Sequence, residues 1–212
     1  MDTIGKGPAT RQRIVDAASS VFAEKGFAGA RVDEIARRAK VNKALLYYHV
    51  GNKQALYTAV LTKNFDRVES TVVEASRSGG SSRDRLGRII SAVAGVLKQV
   101  PDHPRIVLRE FAAAGTNLEP DVLVRIAKIL ETVRGVLADG VRNGEFRSTD
   151  PVLTHVTLVG ASLLLNAVTP LRDRLAEIGP AVGLPEEDVD TGAFLTDLLL
   201  HGIATRKTGE TT

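Results

Sequence analysis

The stretch VNKALLYYHVGNK, residues 41–53, gathers two adjacent tyrosines, a histidine and flanking lysines inside an otherwise aliphatic segment. Such side chains can pack in a core, move protons at a catalytic centre, or grip the phosphates of a nucleic acid. Catalysis finds little support elsewhere in the chain. The four histidines, His49, His103, His155 and His201, are scattered without metal-ligand spacing. No glycine-rich phosphate loop, GxSxG elbow or HExxH sequence occurs. The run AAAGTN that starts at Ala112 follows a helical pattern rather than a strand, and the Glu186/Glu187 pair lies in a proline-rich linker, where it reads as solvated. No cysteine is present, which removes disulfides, thiolate zinc sites and cysteine nucleophiles and fits a reducing cytosol.

Charge separates the three readings further. The net charge is +3, but residues 1–53 hold ten Lys/Arg against five Asp/Glu, while the rest hold eighteen against twenty. A basic first quarter on a mildly acidic body points to a polyanionic partner for that quarter.

The elements that must position these residues are helices. At 212 residues and 43% hydrophobic, the chain can bury a sizeable core. Ile14, Ala17, Ala18, Val21 and Phe22 fall on one helical face of a segment over 10–25, with Gly26 as its C-cap signal. Val32, Ile35, Ala36 and Ala39 repeat the pattern over 31–39. Asn42 is a good N-cap for the next helix, Gly51 ends it, and Asn52 can cap a longer one that runs to about residue 75. After the break RSGGSSRD, further helices are expected over 83–99, 103–115, 120–143, 151–168 and 191–205. Pro120 and Pro151 suit a first helical turn, and Asp150 can cap the second of these. No segment shows sustained strand alternation, so the expected fold is all-α.

No signal peptide is expected, because residues 1–9 hold Asp2, glycines and Pro8 instead of an apolar run. Residues 151–171 carry no Asp, Glu, Lys or Arg, which invites a membrane reading. Thr154, His155, Thr157, Ser162 and Asn166 interrupt the segment and no basic cluster flanks it. A helix buried all round by protein is expected there, with no membrane contact.

Two short helices with a tight turn at 40–42 form a helix-turn-helix, whose second helix enters the DNA major groove. Lys43 at the start of that helix can reach phosphate, and Ala44 and Leu45 can approach base edges and thymine methyls. Leu46 and Val50, four apart, share a buried face, and Val41 is expected to be buried with them. Tyr47, Tyr48 and His49 then cannot all be buried, and their polar groups suit phosphate contact.

These residues resemble the N-terminal DNA-binding domain of the TetR family of bacterial transcription regulators. The matching pieces are RIVDAASSVFAEKGF (13–27), VDEIARRAKVNKALLYYHVGNK (32–53) and ALY (55–57). The resemblance implies an all-α chain with an N-terminal three-helix helix-turn-helix DNA-binding domain and a larger helical ligand-binding and dimerisation domain. The boundaries expected are 9–69, with the motif at about 32–51, and 70–206, leaving 1–8 and 207–212 disordered. The resemblance also implies a cytoplasmic homodimer that represses transcription at a near-palindromic duplex operator until a small-molecule effector releases it. Carried over residue by residue, the DNA-contacting set is Arg31, Asn42, Lys43, Ala44, Leu45, Tyr47, Tyr48, His49 and Lys53. Arg31 stands in for a phosphate contact that the family often makes from a threonine one position earlier, where this chain has Ala30. Val50 replaces the family's usual aromatic beneath the recognition helix.

The segments 151–168 and 192–204 are the expected four-helix dimer interface. Effector contacts are expected among His103, Arg109, Phe111, Asn117, His155 and Asn166, polar or aromatic groups in apolar contexts. Competing readings are an activator, a constitutive DNA-binding regulator without effector, and a helical interaction module or small enzyme that does not bind DNA.

Overall fold

The structure, a computed structural model, describes residues 7–168, 171, 174, 175, 177 and 190–203. Among these residues there are nine helices and no strand: α1 (Pro8–Gly29), α2 (Val32–Arg38), α3 (Lys43–Val50), α4 (Lys53–Arg77), α5 (Ser82–Gln99), α6 (Asp102–Ala112), α7 (Pro120–Arg142), α8 (Pro151–Ala167) and α9 (Thr191–Ile203). The all-α expectation therefore holds. Residues 1–6 and 207–212, Glu186, Glu187 and residue 204 of the expected interface lie outside the described residues. Pro8, expected to belong to a disordered start, instead opens α1, where its missing N–H costs nothing.

Helix ends follow from local chemistry. Asn42 Oδ1 accepts from Leu45 N at 2.7 Å, Asn52 Oδ1 from Ala55 N at 2.8 Å, and Asp150 Oδ1 from Leu153 N at 2.8 Å. Each satisfies an orphan amide of a first turn. Gly26 takes φ 70°, which breaks α1 into a long part and a last short turn closed by Ala30 N to Gly26 O at 3.2 Å. The expected helix over 103–115 ends earlier, at Ala112. Ala114 turns to φ 53°, and Gly115 N bonds back to Glu110 O at 2.8 Å, a Schellman closure.

The chain divides into two compact units, with α4 and α7 each contributing to both. The first unit holds residues 1–66 and 100–125, so α6 and the start of α7 group with the N-terminal helices. Its core is built from Ile14, Ala18, Val21 and Phe22 of α1, Ile35 of α2, Leu46 of α3, and Leu56, Tyr57, Val60 and Leu61 of α4. Phe22 meets Tyr57 edge-on at 4.7 Å between ring centroids, and Phe27 lies 5.0 Å from Tyr57. The buried Tyr57 hydroxyl donates to Glu110 Oε1 at 2.6 Å, and Asn117 Nδ2 donates to the same oxygen at 3.0 Å. Burial first, and then the Glu110 contact, push the Tyr57 phenol well above its ordinary range. Ser20 Oγ donates to Asp102 Oδ2 at 2.9 Å, tying α1 to the start of α6.

His103, also in this unit, is 2% exposed and sits edge-on to Phe65 at 4.9 Å. Its Nδ1 has no hydrogen-bonding partner among the described residues, and burial pushes its pKa down to about 4. In the unfolded chain the imidazole protonates near its ordinary value of about 6.5. The stabilisation that rests on neutral His103 is thus complete above pH ~6.5 and is lost as pH falls towards about 4. His103→Leu is expected to flatten that limb of the stability curve in denaturant melts at stepped pH. Parallel curves for the two proteins would contradict this.

The second unit holds residues 67–99 and 126–212. Leu86, Ile89, Ile90, Val93 and Leu97 of α5 form an i, i+3, i+4 stripe that is buried in the packing with α8 and α9. Gly192 makes close approach of α9 possible, since a Cβ there would lie 3.0 Å from Ser91 Cα. The Glu145 carboxylate accepts from Ser82 N and Arg83 N, both at 3.0 Å, and so caps α5 from a loop. These amides hold its carboxyl below the ordinary range.

One expectation for this unit needs correction. α8 is not buried all round within the chain: His155, Leu158, Ser162 and Leu163 are buried, whereas Val152, Leu153, Val156 and Leu164 are exposed. Among the described residues, α5 and α9 pack on one side of α8, and the apolar side chains on its other side are exposed. Among the described residues, no helix is long and apolar enough to cross a membrane.

Candidate nucleic-acid interface

Eight residues make α3, and Leu46 and Val50 alone among them are buried. Everything else on the helix is thereby turned outward or to its rim. Asn42, Lys43, Ala44, Tyr47 and Tyr48 are exposed, with Tyr48 at 75%, and Leu45 and His49 are half-buried. The Tyr48 and His49 rings meet edge to face at 5.4 Å. Val41, expected to be buried, is half-buried because it lies in the turn, where its N–H closes α2 on Ala36 O at 3.0 Å.

The turn itself is a Schellman closure with Lys40 in the left-handed region at φ 56°, and Lys40 N bonds Arg37 O at 3.2 Å. Lys40 was missed by sequence reasoning, which looks for glycine or asparagine at such a position. It is an exposed cation next to α3. Arg31 and Arg37 are likewise exposed, with no ion-pair partner among the described residues. Arg31 N-caps α2 through its backbone without a side-chain cap, and Asp33 and Glu34 in that first turn favour the positive end of the helix.

Other cations are committed within the unit. Arg38 bridges Glu24 at 2.6 Å and Glu34 at 2.9 Å, and Lys25 meets Glu34 at 2.5 Å, so these groups join α1 to α2. The hydrogen bond from Arg38 holds the Glu24 carboxyl below its ordinary range, and those from Lys25 and then Arg38 do the same for Glu34. Lys53 Nζ donates to Ala28 O at 3.2 Å and lies 4.7 Å above the Phe27 ring, against the end of α1. Lys43 Nζ lies 3.0 Å from Asp33 Oδ1. Neither contact was legible from spacing, since each joins residues far apart in sequence.

The six expected effector residues are divided between the two units. His103, Arg109, Phe111 and Asn117 belong to the first unit, and His155 and Asn166 to the second. Arg109 donates to Glu24 O at 3.2 Å, Phe111 is exposed, and Asn117 serves Glu110. Asn166 donates to Ser162 O at 2.8 Å, while His155 is buried, its Nδ1 without a partner among the described residues and its pKa lowered by burial. A groove of about 820 Å³ opens in the second unit beside Thr71, Glu74, Arg88, Ser91, Thr196 and Leu200, and none of the six lines it.

Known proteins share both parts of this arrangement. The family model of bacterial regulatory proteins, tetR family, matches residues 14–60. That of the tetracyclin repressor-like C-terminal domain matches residues 79–165, and the two together take in more than half of the chain. The HTH-type transcriptional activator FasR of Mycolicibacterium smegmatis is 42% identical over 82 residues, 39% of this chain and 37% of that protein. The match thus spans little more than a third of either protein. The HTH-type transcriptional repressor NicS of Pseudomonas putida is 24% identical over 196 residues, 92% of each chain. A bacterial regulatory protein in the tetR family from Rhodococcus RHA1 superposes with a TM-score of 0.77 at 17% identity, covering 95% of this chain and 100% of that one. These relatives are regulators of transcription rather than enzymes. With a helix-turn-helix presented by a buried leucine–valine face and a matching set of C-terminal helices, the chain belongs to the TetR family of bacterial regulatory proteins and is a DNA-binding transcriptional regulator.

Proposed function

We propose that the protein represses transcription as a homodimer on a near-palindromic duplex operator and is released by a small-molecule effector. The observation that carries this reading is the outward strip of α3, held against its neighbours by Leu46 and Val50. In the bound state Arg31, Asn42, Lys43, Tyr47, His49 and Lys53 meet phosphates, Ala44 and Leu45 face base edges, and Tyr48 takes a base or backbone contact. Lys53 Nζ, which donates to Ala28 O, has further N–H groups to offer a phosphate. Residues 9–69 serve as the DNA-binding domain and 70–206 as the effector-binding and dimerisation domain.

Dimerisation through 151–168 and 192–204 is supported by the apolar side chains left exposed there, Val152, Leu153, Val156 and Leu164 on α8 and Phe194 and Leu198 on α9. Two copies of α3 then span successive major grooves about 34–36 Å apart, which is why the operator is near-palindromic. Effector binding draws on His103, Arg109, Phe111, Asn117, His155 and Asn166 and shifts the dimer towards α3 separations that mismatch the operator. The protein works in the cytoplasm, on the nucleoid when bound. Activation is the second reading, favoured by the 42% identity with the activator FasR over 82 residues.

Selection from a random duplex pool, followed by titration at stepped ionic strength, tests the reading. Lys43→Ala is expected to weaken binding to most sequences and to make the salt slope shallower by about one unit, the share of one phosphate contact. A pool that yields no preferred site would overturn the operator reading. A reporter placed behind the selected site separates repression from activation.

A further inference from the structure

Among the described residues of α1–α3, four carboxylates have cationic partners, and three of those pair with residues outside α3. Asp16 pairs with Lys63 at 2.6 Å, Glu24 with Arg38, and Glu34 with Lys25 and Arg38. Asp33 is different. It stands in the first turn of α2 and reaches across the turn to the first residue of α3, with Lys43 Nζ 3.0 Å from Oδ1 and 3.2 Å from Oδ2. Both side chains are open to water, Asp33 at 73% and Lys43 at 51%. The neighbouring Glu34, at 15%, is turned instead towards α1.

A carboxylate beside a surface that meets phosphates is unfavourable for binding unless it does something there. Its geometry resembles the contact that a backbone phosphate makes: an anionic group offering two oxygens to one ammonium. An exposed pair of this kind is weak, a factor of about five in an equilibrium at most, so a DNA phosphate can displace it. The exchange costs the same on every sequence, because phosphates carry no base identity.

We propose that Asp33 is an internal counter-ion for the recognition helix, occupying Lys43 in the free protein so that every duplex must compete with it for that ammonium. The inference rests on the reading above that Lys43 meets phosphate. Asp33 is a positioning residue that acts through Lys43, and it lowers affinity for DNA of any sequence. The hydrogen bond from Lys43 to Asp33, which also raises the lysine pKa, aims the ammonium along the turn between α2 and α3. The consequence is a protein that leaves non-cognate DNA more readily than its basic surface alone would allow.

The test is a double-mutant cycle on the full chain with a mixed-sequence duplex, read by fluorescence anisotropy at low and raised salt. Asp33→Asn is expected to tighten binding about two- to five-fold at low salt, with a smaller gain as salt screens the surface. In a Lys43→Ala background the same substitution is expected to change little. Asp33→Glu keeps the charge and is expected to restore the original affinity, which an effect through helix capping alone would also have to explain at both salts. Unchanged or weaker binding by Asp33→Asn, with Lys43→Ala still weakening it, would overturn the counter-ion role and leave the Lys43 contact standing. A gain that persists in full without Lys43 would also overturn it, since simple repulsion between Asp33 and DNA would then suffice. If neither Lys43→Ala nor Asp33→Asn alters binding, the Lys43 contact and the inference built on it both fall.

Discussion

Replacing Phe22 by alanine is expected to destabilise the protein by about 3–5 kcal/mol, the largest single effect among the changes considered. Phe22 is fully buried, and its ring meets Tyr57, the centre of an aromatic cluster completed by Phe27. Truncation removes the transfer free energy of the ring and leaves a cavity that α1, α2 and α4 cannot close without moving. An edge-to-face pair adds about 0.5–1.5 kcal/mol beyond area, and that is lost as well. Tyr57 then loses the ring that fixes its orientation towards Glu110, so the link between α4 and α6 weakens too. Denaturant melts followed by circular dichroism measure the change. Phe22→Leu, which refills most of the volume, is expected to recover part of it. A loss under about 1 kcal/mol would show that this cluster is not what holds the first unit together.

Leu46→Ala is the second large effect, about 2–5 kcal/mol, and its outcome is more local. A helix of eight residues has too few backbone bonds to persist alone in water. What keeps α3 in place is its cap at Asn42 and the two side chains buried against α1 and α2, of which Leu46 is completely covered and Val50 nearly so. Without Leu46 the outward strip loses its fixed orientation, so affinity for duplex DNA is expected to fall further than global stability accounts for. Hydrogen exchange of the α3 amides should accelerate more than that of α1, and Leu46→Met, nearly equal in volume, should behave like the parent protein. Unchanged DNA affinity in Leu46→Ala at a temperature where the chain stays folded would separate the strip from function.

Both variants show which features could be read from order along the chain. Helix faces could, because Ile14, Ala18, Val21 and Phe22 repeat at the helical period whatever lies opposite them. Caps could, because Asn42, Asn52 and Asp150 act on amides three residues away. The end of α6 could not: Ala114 adopts φ 53° without being glycine or asparagine, in a turn closed by Ala114 N on Phe111 O and Gly115 N on Glu110 O. The candidate contact strip on α3 was legible for the same reason as the helices, since burying Leu46 and Val50 turns the intervening residues outward.

Long-range pairings were decided elsewhere. Tyr57 and Glu110 are 53 positions apart, and nothing at either place marks the other as its partner. Glu110 follows Ile106 and Val107 on the buried stripe of α6, a sign that it is covered but not of what it meets. The same holds for Lys53 on the Ala28 carbonyl and for Asp33 on Lys43, where charge alone predicts an exposed group and proximity turns it into a committed one. α8 makes the point in reverse, as its uncharged sequence suggests burial all round and the chain covers one side. The sequence by itself determined the helices, their side-chain-capped starts and the outward strip of the helix-turn-helix, because periodicity and capping act within a few residues. Only the tertiary structure decided which charges are paired, which carboxylate is buried and which apolar face is left open, because those depend on what distant segments bring into contact.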